Sequence, residues 1–488
     1  MTDHAAYIRE HNLPRLIEAL LEVCVPGRHP RPLEAVSQRI PFVRGFNLNN
    51  TTTRVPKPHQ EQYPSSTPSS SPQRFVFGED VAPTTTTGTQ RGITHEEVRT
   101  LDFDIFARAG DATTEQGIDI VEKIFTDPRR NLLTAFNIPT ATFKEWVQLV
   151  MNNYHAENPF HNFRHAVNVL QTLHCYVSSL HDTMEASLST TNPLPELITT
   201  SGGASTTSIP PVVGFFSDIE LLGGYIAALC HDLQHPGVNN THLIATDHPL
   251  AVRYNDRSVL ENHHAAVTFS LLDPANNGGV DILSTVRSTG QYRVFRAVVL
   301  DCIMGTDVTK HKECIATIHT ELTDMLAAES TKNKDVGAAS SSHEALLYRL
   351  IGHKRVVARG ADAMTTFGDE DVVTITPASA AAKRQVLLRA MVEASDISNE
   401  ARAHRFSHLW APLVGEEFWQ QGDKEKALGM DVGAMFDRKK MNLGRDQQGF
   451  INYLCLPLYK ELAGILPQTF TSRVAALSNN AAEWAKSM

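Results

Sequence analysis

Long apolar runs are missing from this sequence. No stretch approaches the 18 consecutive apolar residues that a membrane-spanning helix requires. The first ten residues, MTDHAAYIRE, also lack the basic start and apolar core of a secretory signal. These two absences predict a soluble protein of the cytoplasm, with no membrane span.

Cysteine is scarce and scattered. None of the six cysteines forms a C-x-x-C pair or a dense cluster, which excludes the disulfide framework of small secreted domains and favours a reducing compartment. The six are Cys24, Cys175, Cys230, Cys302, Cys314 and Cys455.

Positive charge is in deficit. The chain has 44 lysines and arginines against 54 acidic residues, a net charge of −10. This balance argues against nucleic acid or an anionic membrane surface as a partner. An anionic substrate would therefore need local positive charge, which bound metal ions can supply.

The 488 residues exceed one typical domain and can bury a large core. Helical periodicity dominates, so we predict an all-α fold, in which several helices converge on one site. We expect two short amphipathic helices in residues 1–46 and a linker in residues 47–93, which are rich in Ser, Thr and Pro. Residues 94–488 form the main domain, with insertions near 187–212 and 329–382.

The stretch HNFRHAVNVLQTLH predicts the first helix of a metal site. His161 and His165 stand four residues apart, and they share one helical face with Val169 and Leu173. With 22 histidines in 488 residues, roughly one such pair arises by chance, so the pair alone is uninformative.

A second run, HDLQH, is much rarer and supplies His231 and Asp232. Ser217 and Glu220 predict a capping box at the start of the helix that leads to them. A third apolar stripe ends at Asp396.

These helices together supply a metal-ligand set of two imidazoles and two carboxylates. His165, His231, Asp232 and Asp396 suit Zn²⁺ with positions left open for water. An aspartate can also bridge to a second, oxygen-loving ion such as Mg²⁺ or Mn²⁺. Paired ions of this kind favour hydrolysis of a phosphate ester.

Eight short motifs follow one another from about residue 94 to the C-terminus. They are NPFHNFRHAVNV, CHDLQHPGVNN, LAVRYNDRSVLENHH, GTDVTKH, SDISNEAR, EEFWQQGDKE, MFDRKK and QQGFINYLCLPL. In this order they resemble the catalytic domain of class I 3',5'-cyclic-nucleotide phosphodiesterases of the HD superfamily, and their residues are most similar to those of the high-affinity cyclic-GMP subfamily.

The resemblance implies roles for residues around the metals. The four ligands named above would hold zinc, and Asp232 would also reach a magnesium ion. His161 would be the acid that protonates the departing ribose oxygen, and Glu261 would orient it. His235 and Asn240 would belong to the water network of the second ion.

The resemblance also implies a purine pocket. Gln447 would hydrogen-bond the edge of the base, and Phe450 and Val414 would lie on its two faces. Phe418 and Asn399 would line the same pocket. A buried amide and flanking apolar side chains suit recognition of a flat base.

Several positions depart from the family pattern. Gln234 stands where many members have an acidic residue, Phe160 replaces a frequent tyrosine, and Val308 replaces a frequent methionine. Phe418 stands where the cyclic-GMP subfamily has a tyrosine. The missing hydroxyl favours cAMP over cGMP, with cGMP still a candidate substrate.

Two rival functions stay open on the sequence alone. One is an HD-type phosphohydrolase of noncyclic nucleotides, and the other is an inactive sensor that binds cyclic nucleotides. Gln447 and Phe450 favour a cyclic substrate over the first, and intact metal ligands with His161 argue against the second.

The N-terminal residues 1–46 resemble the dimerisation and docking helices of type II regulatory subunits of cyclic-AMP-dependent kinase. The resemblance implies a homodimer or a docking partner, and a tether within the cytoplasm.

Overall fold

The computed structural model describes residues 92–109, 115–190, 215–276, 278–323 and 377–487. All regular secondary structure in these ranges is helical, which confirms the all-α prediction. The α-helices are α1 His95–Val98, α2 Ile105–Ala109, α3 Glu115–Phe125, α4 Leu132–Ala135, α5 Thr140–Met151, α6 Phe163–Thr190, α7 Asp218–Cys230, α8 Asn240–Ala245, α9 Pro249–Tyr254, α10 Val259–Leu271, α11 Ser284–Ser288, α12 Tyr292–Met304, α13 His311–Ile318, α14 Pro377–Asp396, α15 His404–Ala427, α16 Leu443–Phe450, α17 Leu456–Ile465 and α18 Pro467–Trp484.

Shorter helical segments connect or extend these helices. The 3₁₀ segments are Val308–Lys310, Ser398–Ala401, Ala434–Phe436 and Ala485–Ser487, and the π segments are His319–Thr323 and Ile451–Cys455. In the ranges that the structure describes, no helix is both long and apolar enough to cross a membrane.

Helix α7 lies at the centre of the core. Its first turn carries the predicted capping box, since Ser217 accepts from the backbone N–H of Glu220 and the Glu220 side chain accepts from that of Ser217. The helix is buried on every side and packs against α6, α12 and α14. At Gly223, an added Cβ would lie 2.8 Å from Val298, so glycine permits this close approach.

Helix α6 is 28 residues long and packs against α7. Its predicted apolar stripe is confirmed for Val169 and Leu173, which are fully buried. The prediction that His161 shares this helical face is wrong, because the helix begins only at Phe163. His165 lies in the first turn on the same face and is also fully buried. The stripe therefore fixes which way this histidine points, because residues four apart on a helix share a face.

The C-terminal helix α18 holds the segment that follows α14. The Asn480 side chain donates to the carbonyl oxygens of Glu400 and Arg402, at 2.7 and 3.0 Å. The Trp484 indole N–H donates to the Glu400 carboxyl at 3.0 Å. Burial raises the pKa of Glu400 to about 7, although its contacts with Ser407 and Trp484 oppose that rise.

Helix α15 is long, and a connecting loop lies close against it. At Gly422, an added Cβ would lie 1.9 Å from the carbonyl oxygen of Phe436, so any larger residue would displace the loop. Arg438 fastens the same loop through ion pairs to Glu416 and Asp423, at 2.7 and 2.8 Å.

Part of the predicted domain organisation falls outside the described residues. The N-terminal helices at 1–46, nearly all of the linker at 47–93 and most of the two insertions lie there. The predicted domain boundaries therefore stay predictions.

Candidate functional site

Four side chains from three helices meet where α6, α7 and α14 converge. Their ligand atoms all lie within 4.8 Å of one another, and the residues are His165, His231, Asp232 and Asp396. His165 Nε2 lies 3.0 Å from Asp396 Oδ1, and His231 Nε2 lies 3.0 Å from Asp232 Oδ2. The structure thus brings together the four residues that the sequence predicts as ligands.

The hydrogen bonding of this cluster fits a divalent cation. His231 Nδ1 lies 2.9 Å from the Ala228 carbonyl oxygen, which can only accept, so Nδ1 carries the proton and Nε2 presents a lone pair. Burial disfavours a charged His231, yet Asp232 and Asp396 raise its pKa well above the usual range. The two carboxylates therefore favour positive charge between them, which a divalent cation held by two N and two O ligands would supply.

Asp232 also belongs to a second cluster, with His161 and His235. The rings of His161 and His235 stack with centroids 3.9 Å apart. His235 Nδ1 accepts from the backbone N–H of Gly237 at 3.1 Å, so its Nε2 carries the proton. One carboxylate shared by two clusters suits a second, water-rich ion such as Mg²⁺.

His161 is held by Glu417 from α15. One Glu417 oxygen forms a very short hydrogen bond with His161 Nδ1, and the other accepts from the backbone N–H groups of Phe160 and His161, both at 2.9 Å. Burial would lower the pKa of His161, but the charges of Glu417 and Asp232 outweigh it and raise that pKa to about 9. His161 Nε2, in contrast, makes no hydrogen bond within the described part of the chain.

The prediction that Glu261 orients His161 is wrong. Both oxygens of Glu261 instead accept from the Asn240 side chain, at 3.2 and 3.1 Å, because α10 faces α8 at this point. Asn240 Oδ1 in turn accepts from the backbone N–H of Leu260 at 2.9 Å. Burial and the charge of Asp307 raise the pKa of Glu261 to about 7.

Glu417 is the residue that the sequence reasoning missed. It lies inside the motif EEFWQQGDKE, directly before Phe418, and of that motif only Phe418 was predicted to line the site. A signal was present, because Val414, Glu417 and Phe418 are spaced to share one face of a helix. The helical face expected to line the base pocket thus also carries the partner of His161.

The residues predicted for the purine pocket lie on three neighbouring elements. Val414 and Phe418 are on α15, Gln447 and Phe450 are on α16, and Asn399 is in the 3₁₀ segment Ser398–Ala401. Helices α15 and α16 pack together, and the Phe418 ring lies 5.2 Å from that of Phe436. The Gln447 side chain is buried but hydrogen-bonds no described residue, so it is available to a ligand.

The contact between Glu417 and His161 predicts a titration effect. In Glu417→Gln, the pKa of His161 should fall from about 9 by roughly 1 to 3 pH units, because a neighbouring charge shifts a pKa by that much. The imidazole would then lose its proton at lower pH than in the wild type. Nuclear magnetic resonance titration of the His161 ring measures its pKa in both proteins.

Glu416→Gln is the matched control. Glu416 adjoins Glu417 in sequence but pairs with Arg438 at the surface, 2.7 Å away. The Glu416→Gln variant should leave the pKa of His161 unchanged. An unchanged titration in Glu417→Gln as well would contradict the assigned contact.

Comparison with known proteins gives curated relatives of similar sequence. The chain is 28% identical over 359 residues to the probable 3',5'-cyclic-AMP phosphodiesterase pde-4 of Caenorhabditis elegans. The aligned residues make up 74% of this chain and 42% of that relative. It is 27% identical to the 3',5'-cyclic-AMP phosphodiesterase 4C of Mus musculus, over 80% of this chain and 46% of the relative. The chain thus spans less than half the length of these relatives.

A solved structure has the same fold. The crystal structure of the phosphodiesterase domain of the Salpingoeca rosetta rhodopsin phosphodiesterase matches with a TM-score of 0.55 at 23% sequence identity. The match covers 81% of this chain and 94% of that domain. None of these comparisons tests the similarity to the cyclic-GMP subfamily, which stays a prediction.

The family model for 3'5'-cyclic nucleotide phosphodiesterase matches residues 160–475. This range contains all four candidate ligands, His161, Glu417 and the predicted pocket residues. Because the match extends over more than half of its residues, this chain belongs to the 3'5'-cyclic nucleotide phosphodiesterase family.

Proposed function

We propose that this protein hydrolyses 3',5'-cyclic nucleotides to nucleoside 5'-monophosphates, that it favours cAMP, and that it uses Zn²⁺ with Mg²⁺ or Mn²⁺. The observation that carries the proposal is the pair of clusters sharing Asp232, with the His161–Glu417 pair beside them. The family of the chain supports the hydrolysis of cyclic nucleotides. The relatives named as cyclic-AMP phosphodiesterases support the preference for adenine as the base.

In this proposal, His165, His231, Asp232 and Asp396 hold the zinc ion. Asp232 would also hold the second ion, His235 and Asn240 would belong to its water network, and Glu261 would hold the Asn240 side chain. When bound, the ions supply a nucleophilic water and neutralise charge on the phosphate. The protein itself holds these ligands in position, because α6, α7 and α14 pack against one another in the core.

His161 acts as the general acid. Its raised pKa keeps it protonated at neutral pH, and Glu417 holds Nδ1 so that Nε2 can deliver a proton to the departing 3' oxygen. The backbone N–H groups of Phe160 and His161 anchor Glu417, so the imidazole cannot turn away without losing its hydrogen bond to that carboxylate.

The base lies between α15 and α16 in this proposal. Val414 and Phe450 contact its two faces, Gln447 hydrogen-bonds its edge, and Phe418 and Asn399 complete the pocket. Phe418 packs on Phe436 and offers no hydroxyl, which leaves a guanine-specific group unpaired. Such a group costs about 1 to 3 kcal/mol, or roughly tenfold or more in kcat/KM.

The proposal is tested by turnover of cAMP, cGMP and deoxynucleoside triphosphates by the purified protein with Zn²⁺ and Mg²⁺. We expect kcat/KM for cAMP to exceed that for cGMP by roughly tenfold, with no turnover of the triphosphates. His161→Ala should lower kcat by roughly 10² to 10⁴ while KM stays near normal, because it removes only proton transfer.

Each rival function has its own signature in this assay. A kcat/KM for cGMP equal to or above that for cAMP would overturn the base preference. Turnover of triphosphates alone would indicate a noncyclic phosphohydrolase, and binding without turnover would indicate a sensor.

We also infer that residues 1–46 form a homodimer or dock a partner, and that they tether the protein within the cytoplasm. The support is the helical spacing of Leu13, Ile17, Leu20 and Leu21, which creates an apolar face that two short helices cannot bury alone. All described cysteines are free, in keeping with a reducing compartment.

The proposed pairing of residues 1–46 can be tested by sedimentation. The full chain should sediment as a dimer. A variant that places charge on the apolar face, Leu20→Glu with Leu21→Glu, should sediment as a monomer with unchanged kcat. A full chain that sediments at the mass of one copy would refute the homodimer.

A further inference from the structure

A buried histidine connects three elements behind the predicted base pocket. His311 is the first residue of α13 and is 4% exposed. Its Nε2 lies 3.0 Å from the carbonyl oxygen of Leu454, in the π segment that follows α16. Its Nδ1 lies 2.6 Å from a carboxylate oxygen of Glu393 on α14. His311 therefore joins the helix that carries Asp396 to the segment that follows the pocket helix.

The two partners of His311 determine where its protons lie. A carbonyl oxygen can only accept, so Nε2 carries a proton and donates to Leu454. A carboxylate oxygen faces the other nitrogen, so a second proton lies between Nδ1 and Glu393. Both side chains are buried, where an unpaired polar group is costly. The ring cannot rotate without losing a buried hydrogen bond, so its orientation is fixed at both nitrogens.

Two further contacts join the same elements. The Cys455 thiol donates to the carbonyl oxygen of Ile397 at 3.6 Å, and the Tyr459 hydroxyl donates to that of Ala394 at 2.6 Å. Ala394 and Ile397 stand on either side of the candidate ligand Asp396 in the sequence. The π segment and the start of α17 are therefore attached to the metal-bearing end of α14.

The π segment sets the rotation of α16 relative to α17. A π turn holds about one residue more than an α turn, and one residue corresponds to about 100° of rotation at 3.6 residues per turn. Helix α17 is held in the core by Tyr459 and its buried neighbours, so a return of the π segment to α-helical geometry would turn α16 instead. Gln447 and Phe450 lie in the last turn of α16 and would move out of the predicted pocket with it.

We propose that His311 and Glu393 are positioning residues that hold the π segment, and so keep α16 at the rotation at which one nucleotide reaches both the base pocket and the metal site. This inference rests on the proposed function and adds a connection between pocket and metals that does not pass through α15. Loss of the His311 contact should weaken the binding of the base and leave the binding of the phosphate unchanged.

Equilibrium binding of two ligands to the full chain, with Zn²⁺ and Mg²⁺ present, separates these contributions. The ligands 5'-AMP and ribose 5-phosphate share a phosphate and a ribose, and only 5'-AMP has a base. In the wild type, Kd for 5'-AMP should be lower by about tenfold or more, because the base buries apolar surface. Titration calorimetry measures both constants without turnover, so hydrolysis of cAMP by the wild type tests the proposed function separately.

His311→Asn removes the contact with the π segment alone. The amide nitrogen of asparagine takes the place of Nδ1 and can still donate to Glu393, so the buried carboxylate keeps its partner. The shorter side chain has no atom in the place of Nε2, so Leu454 loses its donor. We expect Kd for 5'-AMP to rise about tenfold, with Kd for ribose 5-phosphate unchanged.

A matched pair of variants at position 393 tests the partner of His311. In Glu393→Gln, the amide can donate to Nδ1 while Nε2 keeps its proton for Leu454, so both ligands should bind as they do to the wild type. Glu393→Leu has a similar volume but leaves Nδ1 unpaired, so the ring is free to turn away from Leu454. Its Kd for 5'-AMP should rise as in His311→Asn.

His319→Asn is the control. His319 Nδ1 lies 3.2 Å from a carboxylate oxygen of Glu461 on α17, so it also pairs a histidine with a glutamate beside α13. This side chain is 56% exposed and does not contact the π segment that follows α16. His319→Asn should leave both dissociation constants unchanged, and thermal melting checks the folding of every variant.

Three results would overturn the inference. The first is a wild-type Kd for 5'-AMP in both His311→Asn and Glu393→Leu. The second is a rise of equal size for both ligands, which would mean that the contact supports the whole site rather than the pocket helix. The third is equal binding of the two ligands by the wild type, which would mean that the base contributes no affinity.

Discussion

Two carboxylates and two histidine lone pairs face one another where three helices meet, and this arrangement is stable only around positive charge. Asp232 is buried and the Asp396 side chain is only 23% exposed, so solvent compensates their charge only in part. The helices of the core bring the four side chains to one point, where a single cation could contact all of them. Helix α7 delivers two adjacent ligands at its end and approaches its neighbours closely through glycine.

Helix α15 joins the chemical centre to the predicted base pocket. Glu417 holds His161, while Val414 and Phe418 lie on the same helical face. Phe436 and Arg438 fasten the neighbouring loop to this helix. A displacement of α15 would therefore change proton delivery and base contact together, which links the two halves of the proposed mechanism.

Local sequence patterns were sufficient for the helices and for the four candidate ligands. The capping box at Ser217 and the stripe through Val169 and Leu173 depend only on residues three or four apart, so sequence spacing determines them. The meeting of the four candidate ligands was also predictable, because carboxylates and imidazoles delivered by apolar helices into one core need a common partner.

Contacts between distant residues could not be predicted in this way. His161 and Glu417 are 256 positions apart. The helical spacing with Val414 and Phe418 places Glu417 on the face of the predicted pocket, but it does not identify Glu417 as the partner of His161. The orientation of the His311 ring depends likewise on Glu393, 82 positions away, and on Leu454, 143 positions away. The hydrogen-bond partner and the orientation of a side chain depend on its neighbours in three dimensions. They can be read only from the folded structure.

Elemental analysis of zinc and magnesium in purified variants tests the central claim most directly. If the four residues are ligands and His161 is an acid, His165→Ala and Asp396→Ala should lose metal, whereas His161→Ala should keep the wild-type content while losing turnover. Metal lost from His161→Ala, or retained in full by His165→Ala, would contradict this division of roles.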